Sequence, residues 1–236
     1  MKRVGIAAIF AIALSSVVFA DDRGGRAACC APFNWTALYV GTHAGFGEVD
    51  ISLRPPPGQS ADTPPSPTGG LWGAHFGANY QFAHGFVLGI EIDGAFARLE
   101  DTRMAPDLQF PQSLNGVTAK VNSLTTLRGR VGYAWDRTLF YATAGGAWTK
   151  FEATTASSNT PFVGPGTPRV LSDEVSTRGW VIGAGIERAL WSNWTGRLEY
   201  LHVRTEPFTV DSQSGTPTPL RFDLQAVRAG LSYRLN

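Results

Sequence analysis

The side chains best placed to do chemistry in this chain are charges spaced two apart within apolar runs. In "FVLGIEIDGAFAR" (86–98), Glu91 and Asp93 share a parity with Val87, Gly89, Ala95 and Ala97. The opposite parity is Phe86, Leu88, Ile90, Ile92 and Phe96. A period of two predicts a strand, because helical spacing would mix the two sets. The pattern recurs downstream. Arg128 and Arg130 alternate with Leu127, Val131 and Tyr133, and Glu187 joins Gly183 and Gly185 opposite Trp180, Ile182 and Ile186. Arg197 and Glu199 flank Leu198 and Tyr200, while Arg228 and Arg234 oppose Val227, Leu231 and Tyr233. If these faces meet, their chemistry is mutual neutralisation, and an arginine fork can serve two carboxylates at once. A packed salt-bridge network is the expected outcome; a water-filled lumen with uncoupled charges is the plain alternative.

Catalysis needs a different constellation: a nucleophile, a base and an orienting acid within reach of one another. The four histidines are His43, His75, His84 and His202. His84 falls in a short turn, and no serine stands two positions from His202 in "LHVRTE". His43 and His75 read as inward members of the polar surface. No Cys/His metal pattern and no glycine-rich phosphate loop between a strand and a helix is present. The sequence therefore predicts no catalytic residue, metal or cofactor.

Strands must hold these charges, and eight alternating segments can be marked: 36–48, 71–82, 86–98, 117–134, 138–151, 176–188, 194–205 and 222–235. Short connections at 83–85, 135–137 and 189–193 alternate with four long ones rich in Pro, Ser, Thr and Gly, which are expected not to continue a ladder. In an up-and-down sheet, every long connection then lies at one end and both chain ends lie beside the short turns. This matches an all-β, eight-stranded antiparallel transmembrane barrel with short periplasmic turns and four long extracellular loops. Eight strands enclose a space just wide enough for side chains. Eight faces of Trp, Phe and Leu would not fit there, so Phe86, Leu88, Ile90, Ile92, Phe96, Trp180, Ile182, Leu231 and Tyr233 are assigned to lipid. Aromatics near strand ends, including Trp35, Tyr39, Trp72, Tyr133, Trp135 and Trp148, fit interfacial girdles. Segment 138–151 carries large residues on both parities, and its faces stay unassigned.

The start of the chain reads as an export signal. Lys2 and Arg3 precede an apolar run ending Val18-Phe19-Ala20, as in a cleaved signal peptide. The rival, a single membrane anchor, has only the minimum spanning length. The expected organisation is a signal peptide at 1–20, a periplasmic leader at 21–34 and an outer-membrane barrel at 35–236. The formal charge of +1 loses two cations with the signal and offers nothing to nucleic acid. Cys29 and Cys30 are adjacent and would close no useful loop.

"FNWTALYVGTHAGFGEVD", "LFYATAGGAW", "GWVIGAGIERAL", "NWTGRLEYLHV" and "VRAGLSYRLN" occur in the order found in a known family. They resemble the small outer-membrane β-barrels of Gram-negative bacteria, the porin-like immunogenic surface proteins related to the membrane domain of outer-membrane protein A. The resemblance implies an eight-stranded barrel in the outer membrane with a structural or surface-contact role and no catalysis. It also implies outer-membrane lipid, lipopolysaccharide and the barrel-assembly machinery as partners, with an extracellular ligand at the loops left open. Members usually finish on an aromatic residue, whereas this chain finishes Leu235-Asn236. A narrow solute channel and a lipid-modifying enzyme are the alternative functions.

Overall fold

The computed structural model describes residues 33–53, 66–106, 114–157, 169–211 and 217–235. The proposed signal peptide, the leader up to residue 32 and Cys29–Cys30 lie outside these residues, as does most of the connection at 54–67.

Among these residues nine strands form one closed antiparallel sheet: β1 (Ala37–Leu53), β2 (Thr68–Gln81), β3 (Phe86–Pro106), β4 (Leu114–Trp135), β5 (Thr138–Ser157), β6 (Arg169–Ala189), β7 (Trp194–Thr205), β8 (Phe208–Asp211) and β9 (Pro217–Leu235). Each pairs with its sequence neighbour, except that β7 and β8 both pair with β9. β8 prolongs the path of β7 after a break at Glu206-Pro207, so the wall counts as eight strands. β1 closes it against β9, from Leu38↔Leu235 to Leu53↔Leu220. The closed ladder leaves the membrane-crossing backbone no open edge, the condition for a sheet to survive in lipid.

Tight connections at one end let the ladder turn at once. His84 (φ 66°), Gly85 (φ 86°), Asp136 (φ 53°) and Ser192 (φ 41°) supply the left-handed backbone these turns need. At the opposite end the ladder runs further than the sequence suggested. Pairing reaches Pro106↔Leu114, Ser157↔Arg169 and Asp211↔Pro217. The expectation that those proline-containing stretches end the ladder is corrected. Pro106 ends β3, and Pro217 and Pro219 lie in the short β8–β9 pairing before the β1–β9 ladder begins at Leu220, so the missing donors fall at the ends of these extensions.

Side chains alternate between wall and interior along the strands, with one interruption in β4. Phe86, Leu88, Ile90, Ile92, Phe96, Trp180, Ile182, Leu231 and Tyr233 all lie exposed on the outer face. Trp72 packs on Phe96, and Phe86 on Tyr133, across strands. Trp35 and Tyr39 are corrections, since both are buried inside the barrel. Tyr39 shares the parity of His43, and inward its hydroxyl finds a carboxylate. β5 is now assigned: Leu139, Tyr141, Ala147 and Phe151 face in, Phe140 and Trp148 out. In β4 a register shift between Val121 and Ser123 moves the inward positions from Leu124, Thr126 and Arg128 to Ala119 and Val121. Such a bulge re-aims side chains without ending the pairing.

A charge on the outer face has a depth-dependent cost, about 2–4 kcal/mol at the bilayer midplane and about 0–1 near the interface. Ile90→Arg, at the centre of the outward apolar set Phe86, Leu88, Ile90, Ile92 and Phe96 of β3, should abolish heat-modifiable barrel in outer-membrane fractions. Trp135→Arg, beside a turn, should leave most of it. Equal yields from the two would contradict the assignment of this face to lipid.

Candidate functional site: the barrel lumen

The interior is filled in three layers along the barrel axis. At the turn end Trp35, Val87, Leu139 and Tyr141 form an apolar cluster, with Phe33 and Ala134 against it. At the far end Val49, Leu71, Leu99, Val121, Leu201 and Leu224 belong to a larger apolar core, in which Phe151 and Phe222 stack at 5.5 Å. The charged residues lie between. The sequence reading placed glycine and charge on the inner face and missed this larger apolar core. It fits because alanines at 97, 119, 147 and 226 alternate with the bulkier residues.

Arg128 and Arg228 link the middle layer. Glu91 and Arg128 are ladder partners. Glu91 Oε1 accepts from Arg128 Nη2 in a short contact, while its Oε2 accepts from Arg197 Nη1 at 2.5 Å and from the Tyr39 hydroxyl at 2.9 Å. Arg128 Nη1 donates across the lumen to Glu199 at 3.0 Å. Glu199 also accepts from Tyr141 at 3.1 Å and from Arg228 Nε at 2.7 Å. Arg228 Nη1 donates to both oxygens of Asp93, at 3.0 and 2.9 Å. Glu187 accepts from Arg130 Nη2 and, at 2.6 Å, from Thr195. Arg130 lies 3.7 Å from the Tyr141 ring centroid, a cation–π placement. Four acids thus meet four arginines, each at most 5% exposed.

Arg234 does not join them. It donates through Nη2 to Asn34 O at 2.6 Å and sits 4.3 Å from the Phe33 ring, and it makes no ion pair among the described residues. The two parities agree, but Arg234 is six residues beyond Arg228, at the turn end where the interior is apolar. The assignment of Arg234 to the network is corrected.

Tyr39 and Tyr141 were missed as network members, and their positions are equivalent. Tyr39 lies across Gly77 to reach Glu91, and Tyr141 lies across Gly185 to reach Glu199. A Cβ at Gly185 would stand 2.6 Å from Tyr141 Cζ, so glycine makes room for the ring. The signal available in the sequence was an aromatic sharing a parity with polar residues on strands whose neighbours carry inward glycine.

Two other groupings lie in this layer. Ser232 Oγ is 2.8 Å from His75 Nε2, a hydroxyl–imidazole pair that the sequence reading did not find. Among the described residues His75 Nδ1 has no hydrogen-bond partner, so none of them orients the ring as a base, and both residues are buried at 2% or less. His43, His75 and Asp93 also hold ligand-type atoms within 4.8 Å of one another. Asp93 is already engaged by Arg228, and His43 Nε2 stands 3.2 Å from Arg228 Nη1. A divalent ion would add charge to a layer whose acids and arginines already balance, so the set does not fit a metal.

A closed barrel of this architecture, with outward aromatics and an inward charged layer, can be compared with known proteins. The model of the outer membrane protein β-barrel domain matches residues 10–234. The chain belongs to that family. It is 28% identical over 250 residues to the 31 kDa outer-membrane immunogenic protein of Brucella melitensis, covering 99% of this chain and 100% of the relative. Identity to the 25 kDa outer-membrane immunogenic protein of Brucella abortus is 27% over 209 residues, covering 86% of this chain and 80% of the relative. Among solved structures, the outer membrane protein OprG from Pseudomonas aeruginosa is 15% identical, with a TM-score of 0.46 over 86% of this chain and 98% of that one. As a member of this family the protein is located in the outer membrane.

Breaking a buried pair by removing one partner typically costs about 3–5 kcal/mol. Glu91→Ala strands Arg128 and Arg197 and should lower stability by about that much, read from the urea midpoint of refolded barrel in detergent micelles. Combining it with Arg128→Ala should cost less than the sum of the single changes, because the two residues share an interaction. Gly185→Val should prevent folding by displacing Tyr141, while Gly94→Ala, where an added Cβ meets nothing within 4 Å, should fold normally.

Proposed function

We propose that the protein is a structural and surface-contact barrel of the outer membrane whose lumen is closed to solutes. The observation that carries this reading is the neutral layer of Glu91, Asp93, Glu187 and Glu199 with Arg128, Arg130, Arg197 and Arg228, lying between two apolar layers. A solute path would have to open both apolar layers and separate paired charges. The outer aromatics then lie against acyl chains and headgroups, with outer-membrane lipid and lipopolysaccharide as surroundings and the barrel-assembly machinery as the route of insertion. The tight turns face the periplasm, and the strand extensions at the other end carry the connections outward, where an extracellular ligand would be met. The relatives' description as immunogenic supports an exposed surface. A catalytic role finds less support, since the Ser232–His75 pair lacks an orienting acid and is buried.

Single-channel recording in planar bilayers separates this reading from a narrow channel. The unmodified protein should conduct little, and Arg128→Ala should raise conductance as water enters beside the stranded carboxylates. A large, steady conductance from the unmodified barrel, unchanged in Arg128→Ala, would refute closure and establish the channel.

A further inference from the structure

The outer wall carries a feature that the lumen does not explain. The β6–β7 ladder ends at Gly179↔Thr205, followed by a hydrogen bond from Glu206 N to Arg178 O at 2.8 Å. Beyond this point β6 continues against β5, while β8 pairs with β9. Where the strands part, a groove of about 500 Å³ is lined by β4, β5 and β6 and by the break at Glu206-Pro207. Its outward residues include Trp148, half exposed, with Lys150, Arg178, Ser123, Ser176 and Glu206 around it. Ladder pairing sets Lys150 beside both Ser123 and Ser176, and Trp148 beside Arg178.

We propose that this groove binds the phosphorylated headgroup of a glycolipid of the outer leaflet, the lipid A part of lipopolysaccharide. Two cations, Lys150 and Arg178, stand on neighbouring strands, with Ser123 and Ser176 flanking Lys150 on either side, and Trp148 beside Arg178 marks the interfacial level. Arginine suits phosphate because its fork can present two parallel donors. Arg178 gives only Nε to Glu206, at 3.0 Å, and both side chains are largely exposed, so its Nη donors are available to an anion. The neighbouring arc has the opposite character. Arg204 is held by Asp223 in two hydrogen bonds of 2.9 and 3.1 Å, and Glu48 and Asp50 follow on β1, each paired across the ladder with Gln225 or Asp223. A phosphate is therefore favoured on the β5–β6 side and repelled on the β9–β1 side. The proposal rests on the far end of the barrel lying in the outer leaflet, and not on a closed lumen.

Native mass spectrometry of the full-length purified barrel in detergent tests it, with bisphosphorylated lipid A, dephosphorylated lipid A and inorganic phosphate as probes. This readout is independent of conductance, so either proposal can fail alone. The unmodified protein should hold bisphosphorylated lipid A, and Lys150→Gln/Arg178→Gln should bind it about thirtyfold more weakly, the product of two near-surface cation contributions. Arg98→Gln, another outward arginine, should match the unmodified protein. On the unmodified barrel, lipid A should also protect Lys150 from amine acylation, which decides the matter if the double variant fails to fold. Equal binding by the double variant, equal binding of dephosphorylated lipid A, displacement by millimolar inorganic phosphate, or an unprotected Lys150 would each overturn the proposal.

Discussion

Inside a closed eight-stranded barrel, a charged side chain has no bulk water to turn to, and an isolated ion there would be expelled or neutralised. The structure meets this constraint by letting arginines bridge strands that are not neighbours. Arg128 on β4 touches Glu91 on β3 and Glu199 on β7, and Arg228 on β9 touches Glu199 and Asp93. The bonds run across the lumen as well as along the wall, so the layer ties opposite sides of the barrel together. Replacing such a set with well-packed apolar residues can be neutral or stabilising, whereas removing one partner leaves a buried charge uncompensated.

The wall depends on the same constraint. Glycines at 77 and 185 leave space for the tyrosines that complete the carboxylates' hydrogen bonds. The apolar layers keep water from competing for the charges, which strengthens each contact in the lower dielectric. Outside, the alternation that sends a charge inward sends Leu88, Ile90 or Ile182 to the opposite face, and in the outer membrane that face is a solvent for hydrocarbon.

Much of this was legible in the sequence because a strand's two faces follow from parity alone. Glu91, Asp93, Arg128, Arg130, Glu187, Arg197, Glu199 and Arg228 share one surface for that reason. Parity does not report height along the barrel, however, so Arg234 was grouped with residues that lie deeper. Nor does it separate an aromatic at an interface from one that reaches inward, as Trp35 and Tyr39 do. The bulge in β4 reverses parity with no marked change in composition at Asn122 and Ser123. Segment 138–151 defied assignment because Leu139 and Tyr141 are large residues that face in. The ladder beyond the wall was hidden by Pro106, Pro217 and Pro219, which sit in the last pairs of these extensions, where a missing donor interrupts little of the ladder.

The twin arrangement of Tyr39, Gly77, Glu91 and Arg128 with Tyr141, Gly185, Glu199 and Arg228 makes the charged layer pseudo-symmetric. Each set takes one residue from each of four successive wall strands, β1–β4 and then β5, β6, β7 and β9, in the same order. The flanking residues follow suit: "LYVGTHAGF" (38–46) aligns with "FYATAGGAW" (140–148), and "LRGRVGY" (127–133) with "VRAGLSY" (227–233). The barrel thus carries an internal repeat of four wall strands, its two halves meeting at β4–β5 and at β9–β1. Each half brings one tyrosine-supported carboxylate, and Arg128 is the cation that spans both.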